Sequence, residues 1–160
     1  MYTKQVLGLA EAQAALTAIC DKIARQMEKK PDLNPVAAVV VDDHGDFIAL
    51  ARMDGARAQT MNMAIKKART AALIRRDTRG VRQVLQEEEL VPSELGTDVV
   101  RLTGGIIITG LGEPRGRKYG RRGPNVLGGI GVGGRTAEED EALAFVGLRA
   151  LHQAWGKAHD

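Results

Sequence analysis

Aromatic residues are scarce in this chain of 160 residues. They make up 3% of it, as two phenylalanines, two tyrosines and one tryptophan. The hydrophobic content is nevertheless 44%, so the core has to be built from aliphatic side chains and alanine. Because such side chains bury less area per residue than aromatic ones, we expect one domain over residues 1–160 that self-associates as a dimer or larger assembly.

Other absences each remove a class of protein. Cys20 is the single cysteine, which excludes a disulfide within the chain. No HExxH or CxxC spacing occurs, so we expect no metal site, and Ser93 is the single serine, so a catalytic serine triad is unsupported. The sequence shows neither a signal peptide nor a run of about 18 apolar residues. We therefore expect a cytoplasmic protein that does not span a membrane.

Periodicity predicts an α+β chain. Apolar residues three and four positions apart indicate a helix over about 9–27, and Pro31 blocks its continuation. Cys20 lies beside this apolar stripe and is predicted to be buried in the core. Two β-branched runs flanking His44-Gly45 predict a hairpin, and Asp77-Thr78 is expected to cap a short helix. The remaining predictions are strands at 106–108 and 126–132, a loop at 92–98, and helices at about 59–75, 81–88 and 136–157. The residues 136–139 (TAEE) predict a capping box at the start of the last of these helices.

Spaced sequence blocks carry the relationship to known proteins. They are 52–56 (RMDGA), 67–71 (KARTA) and 128–134 (GGIGVGG), followed by 139–141 (EDE). In this order, over about residues 9–151, the chain resembles the GlcG/HbpS family, which includes the C-terminal domain of PduO-type corrinoid adenosyltransferases.

The resemblance implies a fold, a function and an assembly. The fold is a profilin-like sandwich with a five-stranded, mostly antiparallel sheet flanked by helices. Members of the family bind haem or belong to catabolic pathways, and they assemble into dimers or larger rings, up to an octamer. Because the sequence pattern itself shows four strands, we expect the fifth near residues 99–102.

Two pairs of polar residues predict a ligand pocket. Arg52 and Asp54 are two apart at the end of a strand, so their side chains share a face, and Lys67 and Thr70 share a helical face. Arg52 and Lys67 are predicted to hold an anionic group. The alternatives are that Asp54 caps a turn before Gly55 and that the Lys67 stem extends to solvent.

Glycines precede the last predicted helix. Gly131, Gly133 and Gly134 end a strand just before it, where exposed amides and the helix dipole favour an anion. The family usually has a serine at the position of Gly133, so any role that depends on that hydroxyl is in doubt. The alternative is that these glycines allow close backbone packing between subunits.

Asp140 points inward although it is charged. It shares a stripe of the last helix with Ala144, Gly147 and Leu151. One interpretation is structural, with free amides of the first turn satisfying the carboxylate. The other is catalytic, with Asp54 or Asp140 moving a proton on a carboxylated substrate that Lys67 holds.

A basic segment distinguishes this chain within the family it resembles. Residues 111–125 carry a run of cations that includes Arg117 and Arg121, and we predict a mobile loop that governs the binding of an anionic ligand. The alternatives are a loop that is merely solvated and a segment that docks an acidic partner. One aromatic residue accompanies these cations and the net charge is only +3, so nucleic acid is a poor candidate partner.

Two functions follow. In the first, the chain binds haem or another tetrapyrrole, with Arg52 and Lys67 on the propionates and an axial ligand drawn from His44, a methionine or Tyr119. In the second, it is a small enzyme without a cofactor that acts on a carboxylated catabolic intermediate. Of the two, we favour the first, and the enzyme is the alternative.

Overall fold

The structure is a computed structural model that describes residues 1, 4–111 and 125–159. Its long helices are α1 (Leu9–Lys29), α2 (Ala58–Ile74) and α5 (Ala137–His159), with shorter helices α3 (Thr78–Glu87) and α4 (Pro92–Leu95). Its strands are β1 (Ala37–Asp42), β2 (Phe47–Arg52), β3 (Gly105–Thr109) and β4 (Val126–Gly133). The helix–hairpin order predicted from the sequence is therefore confirmed, and α4 lies where a loop was predicted.

The four strands form one sheet in the order β2-β1-β4-β3, and every neighbouring pair is antiparallel. Helices α1 and α5 cover one face, and α2 covers the other. Successive residues of β1 point to opposite faces, so Ala38 and Val40, with Val36 just before the strand, join the core beneath α1 and α5. Val39 and Val41 pack instead against the alanines of α2.

Local signals place the helix ends and the hairpin turn. Gly45 has a φ of 82° in the turn that joins β1 to β2, a value that favours glycine. At the start of α5 the Thr136 hydroxyl accepts from the Glu139 amide at 3.3 Å, and the Glu139 carboxylate accepts from the Thr136 amide at 3.0 Å. The predicted capping box is confirmed.

The five-stranded prediction is wrong for the described residues, where the sheet has four strands. Residues 99–102 form a loop. The Thr70 hydroxyl donates to the Asp98 carbonyl at 3.2 Å and accepts from the Val100 amide at 3.0 Å. The Val99 side chain packs with Val81 and Leu85. Backbone groups of this segment are therefore hydrogen-bonded to α2 instead of to the sheet.

Side chains occupy the β3 edge where a fifth strand was expected. The Thr78 hydroxyl accepts from the Gly105 amide at 3.0 Å and donates to its carbonyl at 3.3 Å. The Asp77 carboxylate accepts from the Ile107 amide at 2.9 Å. Asp77 does stand at the N-cap position of α3, but its side chain makes no cap hydrogen bond. The capping predicted for Asp77 and Thr78 is thus replaced by a role in closing the sheet edge.

None of the helices in the described part of the chain has the length and apolarity needed to cross a membrane.

Candidate functional site

A wide cleft lies between α1 and the end of β2, with a volume of about 660 Å³. We call it the α1–β2 cleft. Its lining residues come from two segments: Cys20, Ala24, Met27 and Glu28 from α1, and Ala51, Arg52, Met53 and Asp54 from the end of β2 and the residues after it.

Local features of the sequence account for the residues that line this cleft. Cys20, Ala24 and Met27 are four and three residues apart, so they lie on one face of α1. Met53 continues the line of β2, because its amide donates to the Val36 carbonyl at 3.0 Å. Gly55 then turns the chain away with a φ of 81°, which leaves the space beside Met53 open.

Sulfur is the distinctive chemistry of the cleft. Cys20, Met27 and Met53 bring a thiol and two thioethers to one cavity. Cys20 is half-buried and not fully in the core as predicted. Burial raises the pKa of the Cys20 thiol, and the Asp21 carboxylate raises it further, so the thiol stays protonated near neutral pH. The thioethers are therefore the sulfur donors that need no deprotonation.

Arg52 and Asp54 supply charge at the rim of the cleft. Both residues are exposed and both line the cavity. An exposed guanidinium beside an apolar cavity can bind a carboxylate that projects from a bound ligand. The structure therefore brings the two strand-end residues of the predicted pocket to one cavity, together with two methionines. Methionine was one of the residue types that the sequence offered as an axial ligand, without a position.

Lys67 and Asp140 lie elsewhere and contact each other. The Lys67 ammonium donates to Asp140 Oδ2 at 2.7 Å and to the Val132 carbonyl at 3.0 Å. The Lys67 and Asp140 side chains are only 5% and 3% exposed, so the pair is buried at the junction of α2, β4 and α5. A substrate would have to displace one of these groups to reach the other.

Two influences act on the ionisation of Asp140. Burial raises the pKa of its carboxyl, while the Lys67 ammonium and the Arg135 amide, which donates to Oδ1 at 3.0 Å, act in the opposite direction. The structural interpretation made from the sequence included a free amide next to this carboxylate. Lys67 is the second partner of the Asp140 carboxylate. Helical periodicity alone did not indicate that these two residues pair.

Thr70 is fully buried. Its hydroxyl holds the loop at 98–100, as described above. It does not line the α1–β2 cleft.

The glycine block lies mainly beneath α2. A Cβ at Gly131 would meet the Ala64 carbonyl oxygen at 2.1 Å, and one at Gly133 would meet the Thr60 carbonyl oxygen at 2.6 Å. These glycines allow close packing between a strand and a helix of the same chain. The alternative prediction from the sequence was close packing between subunits. Gly134 lines a cavity of about 150 Å³ with Arg57 and Thr60.

Glu141 is a further buried carboxylate, and its burial was not predicted from the sequence. Glu141 is 1% exposed, and it accepts two hydrogen bonds from Arg79 Nε, at 3.1 and 3.2 Å, and one from Nη2 at 2.7 Å. Glu141 belongs to the acidic block after the glycines, but nothing in the spacing of the sequence indicates its partner on α3.

The acidic turn around His44 has its side chains engaged. Asp42, Asp43 and His44 offer ligand atoms within 4.8 Å of one another. However, Asp42 Oδ1 already accepts from the amides of His44 and Asp46, at 2.8 and 3.0 Å, and Asp43 pairs with Lys4. His44 is exposed and remote from the α1–β2 cleft. Arg117, Arg121 and Tyr119, which the sequence analysis also considered, lie outside the described residues.

Comparisons with known proteins agree over most of the chain. A family model described as haem-degrading protein HbpS-like matches residues 7–149. An uncharacterised 15.0 kDa protein from the dhaT-dhaS intergenic region of Citrobacter freundii is 31% identical over 136 residues, which cover 82% of this chain and 87% of that protein. Protein GlcG of Escherichia coli K12 is 35% identical over 85 residues, 53% of this chain and 59% of GlcG.

Solved structures extend the similarity to the fold. A double mutant of HbpS from Streptomyces reticuli superposes with a TM-score of 0.71 at 25% identity, covering 94% of this chain and 90% of that one. A complex of PduOC with haem gives a TM-score of 0.69 at 25% identity, covering 91% of this chain and 95% of that one. The antiparallel sheet flanked by helices is thus shared with both.

Proposed function

The chain belongs to the HbpS-like family of haem-degrading proteins, and from that premise we propose that it binds haem in the α1–β2 cleft. Haem binding is supported at the level of the family, since a similar structure, that of PduOC, is a complex with haem. The observation that carries the proposal for this chain is the meeting of three sulfur side chains and an exposed arginine in one cavity.

The cleft fits a tetrapyrrole in size and chemistry. Its volume of about 660 Å³ falls within the range of sites that take drug-sized ligands and cofactors. Ala24, Ala51 and the side chains of Met27 and Met53 give it apolar walls, which suit the flat macrocycle. A thioether is an established axial ligand of haem iron. We therefore propose that Met27 or Met53 holds the iron and that the Arg52 guanidinium binds a propionate.

Bound haem would supply redox chemistry at its iron. The contribution of this chain is to bind and orient the group. The apolar walls would exclude water from one side of the ring, and Arg52 would bind the carboxylates at the rim. Because the Cys20 thiol stays protonated near neutral pH, it contributes bulk and polarisability at that pH and not a thiolate.

The enzyme without a cofactor remains a weaker second candidate. Its carboxylate site and proton-transfer group would now have to be Arg52 and Asp54, which share the cleft. Lys67 and Asp140 are bonded to each other and buried, so they are poorly placed to act on a substrate. The cleft thus favours the haem proposal over the second.

Haemin titration of methionine variants tests the iron ligand. We expect the wild-type protein to shift the Soret band saturably. Of Met53→Leu and Met27→Leu, the variant that removes the iron ligand should lower haemin affinity at least about tenfold. Met61→Leu is the matched control, because Met61 packs on the opposite face of the sheet. Wild-type spectra that remain those of free haemin would refute haem binding. Unchanged haemin affinity in both variants would exclude Met27 and Met53 as iron ligands but would leave haem binding itself standing.

The pH dependence separates the thioethers from the thiol. Thiolate ligation by Cys20 requires loss of a proton whose pKa is raised, so affinity based on it would increase as the pH rises towards that pKa. Thioether ligation involves no such proton. We expect haemin affinity in the wild type and in Cys20→Ser to be similar at about pH 7. A large loss in Cys20→Ser at that pH would assign the iron to the thiol.

Substitution of Arg52 tests the propionate contact. Arg52→Gln is expected to weaken the binding free energy of haemin by about 1–3 kcal/mol, the usual range for a charge-assisted hydrogen bond. The loss should shrink as the salt concentration increases. Arg82→Gln, which changes an exposed arginine on α3, is the control for net charge. Equal losses in the two variants would show that Arg52 acts only through overall charge.

A further inference from the structure

The α1–β2 cleft offers a set of sulfur donors that suits a soft metal ion. Cys20, Met27 and Met53 line it, and within the described part of the chain no histidine is among its lining residues. Soft thiolate and thioether ligands suit copper(I), whereas carboxylates and water suit magnesium, calcium and manganese. One thiol and two thioethers in the same cavity therefore form a ligand set for a soft ion that does not depend on a tetrapyrrole.

The order of residues along α1 allows two of these sulfur atoms to reach one ion. Cys20 and Met27 are seven residues apart on the same face of the helix, which is about 10 Å along its axis. Long side chains in a helix lean towards its N-terminus, so the Met27 side chain leans towards Cys20. On this face the residue between them is Ala24, whose methyl group leaves the space between the two sulfur side chains open.

Met53 brings the third sulfur atom from the other wall of the cleft. Its amide donates to the Val36 carbonyl at 3.0 Å, which fixes its backbone just beyond β2. Met27 and Met53 are both half-buried and pack against the same core cluster. A methionine side chain has three rotatable bonds, so its thioether can adjust to a ligand while its backbone stays fixed. The two thioethers thus approach the cleft from α1 and from the end of β2.

The balance of charge in the cleft favours a monovalent ion. The three sulfur residues are half-buried, whereas the charged lining residues Glu28, Arg52 and Asp54 are exposed at the rim. Copper(I) on one thiolate and two neutral thioethers has no net charge, so an apolar cleft can hold it without an unpaired charge. A divalent ion on the same ligands would keep one positive charge. Two rim carboxylates against one guanidinium also give a negative potential that attracts a cation.

We propose that the α1–β2 cleft binds one copper(I) ion through the thiolate of Cys20 and the thioethers of Met27 and Met53. On binding, the S–H bond of Cys20 breaks, its sulfur coordinates the ion and the proton passes to solvent, while copper keeps its oxidation state. The expectation of no metal site rested on the absence of short-spaced ligand motifs, and these ligands come from separate elements. The site shares its cleft with the proposed haem site but does not depend on haem.

Anaerobic competition with the chromophoric chelator bicinchoninate, with ascorbate to keep copper reduced, tests the site on protein without haem. We expect the wild type to withdraw one copper(I) per chain. Cys20→Ser, Met27→Leu and Met53→Leu should each lower the copper(I) affinity by at least about tenfold. Met61→Leu should leave it unchanged, because Met61 packs on the opposite face of the sheet. A wild type that withdraws no copper(I), or an undiminished affinity in any of the three ligand variants, would overturn the three-sulfur site.

Proton release checks the thiolate in the wild type, without any substitution. Burial raises the pKa of the Cys20 thiol, and Asp21 raises it further, so at about pH 7 the thiol keeps its proton until copper displaces it. With copper(I) supplied as its acetonitrile complex in weak buffer, a pH indicator should report about one proton per bound ion. Carboxylates are already ionised at that pH, so binding to them would release no proton, and that result would contradict the proposed ligand set.

Titrations with copper(I) and with haemin separate this inference from the haem proposal. A protein that binds copper(I) but leaves the spectrum of free haemin keeps the copper site and loses the haem site, and one that binds haemin but withdraws no copper(I) does the reverse. Where haemin affinity depends on Met27 or Met53, loading with one copper(I) should lower it at least about tenfold, because both ligands need the same thioethers. Undiminished haemin affinity after loading would place the copper outside the cleft and refute its assignment.

Discussion

Gly131→Ala is expected to destabilise the fold by about 3 kcal/mol or more, the upper end of what overpacking costs. A Cβ at this position would lie 2.1 Å from the Ala64 carbonyl oxygen and 2.5 Å from the Ala68 amide nitrogen. Both atoms belong to the backbone of α2, so no side chain can move aside to relieve the overlap. The helix has to shift away from β4, which opens the packing between them.

Thermal melting measures this effect. For a chain of this length, a loss of about 3 kcal/mol lowers the melting temperature by roughly 6–12 °C. Gly156→Ala is the matched control, because nothing lies within 4 Å of a Cβ at Gly156 and it is within α5. There alanine should stabilise the helix by up to about 1 kcal/mol. Similar melting temperatures for Gly131→Ala and the wild type would contradict the contact between α2 and β4.

Lys67→Met should cost about 3–5 kcal/mol of stability, as expected when one partner of a buried ion pair is removed. The Asp140 carboxylate would keep the Arg135 amide at 3.0 Å but lose the ammonium at 2.7 Å, leaving a buried charge largely unopposed. The sequence predicted that Lys67 holds an anionic ligand, and in that case its loss would weaken binding of the ligand. The ion pair moves the expected effect from binding to stability.

A double-mutant cycle isolates the pair. Denaturant unfolding of Lys67→Met, Asp140→Leu and the combined variant should show that the combined loss is smaller than the sum of the single losses, because the double variant leaves no unpaired charge. Lys66→Met is the control on the adjacent residue of α2, which is half-buried. Strictly additive losses, or an equal loss in Lys66→Met, would show that the contact contributes nothing specific.

The defect of Lys67→Met should also depend on pH. Burial raises the pKa of Asp140, and Lys67 opposes that effect, so the pKa rises further in the variant. A carboxyl with a raised folded-state pKa binds its proton more readily when folded, so it costs stability as the pH rises through that pKa. We expect the deficit to be largest near neutral pH and to shrink on acidification. A deficit that grows on acidification would contradict the assignment.

Much of this fold could be predicted from the sequence because local rules dominate it. The spacing of apolar residues along α1, the turn at Gly45 and the capping box at Thr136 involve residues that are neighbours along the chain. Each is confirmed by the structure. The small side chains of α2 allow close approach to the sheet, and Ala64, Ala68 and Ala71 are fully buried.

Long-range pairing was the part that the sequence did not determine. Asp77 and Thr78 look like helix caps, yet their side chains close the β3 edge about 30 residues away and stand where a fifth strand was expected. A cap and an edge contact require the same short polar side chains. Only the position of α3 against β3 distinguishes them.

The candidate site follows the same division. The sequence by itself determined that Arg52 and Asp54 share the end of a strand and that Lys67 and Asp140 each face inward, since these are consequences of periods of two and 3.6 residues. Tertiary structure decided that Lys67 and Asp140 satisfy each other across 73 positions. It also decided that Arg52 and Asp54 meet Cys20, Met27 and Met53 in one cleft. Periodicity assigns a side chain to a face, but only the packing of helix against sheet decides which faces meet.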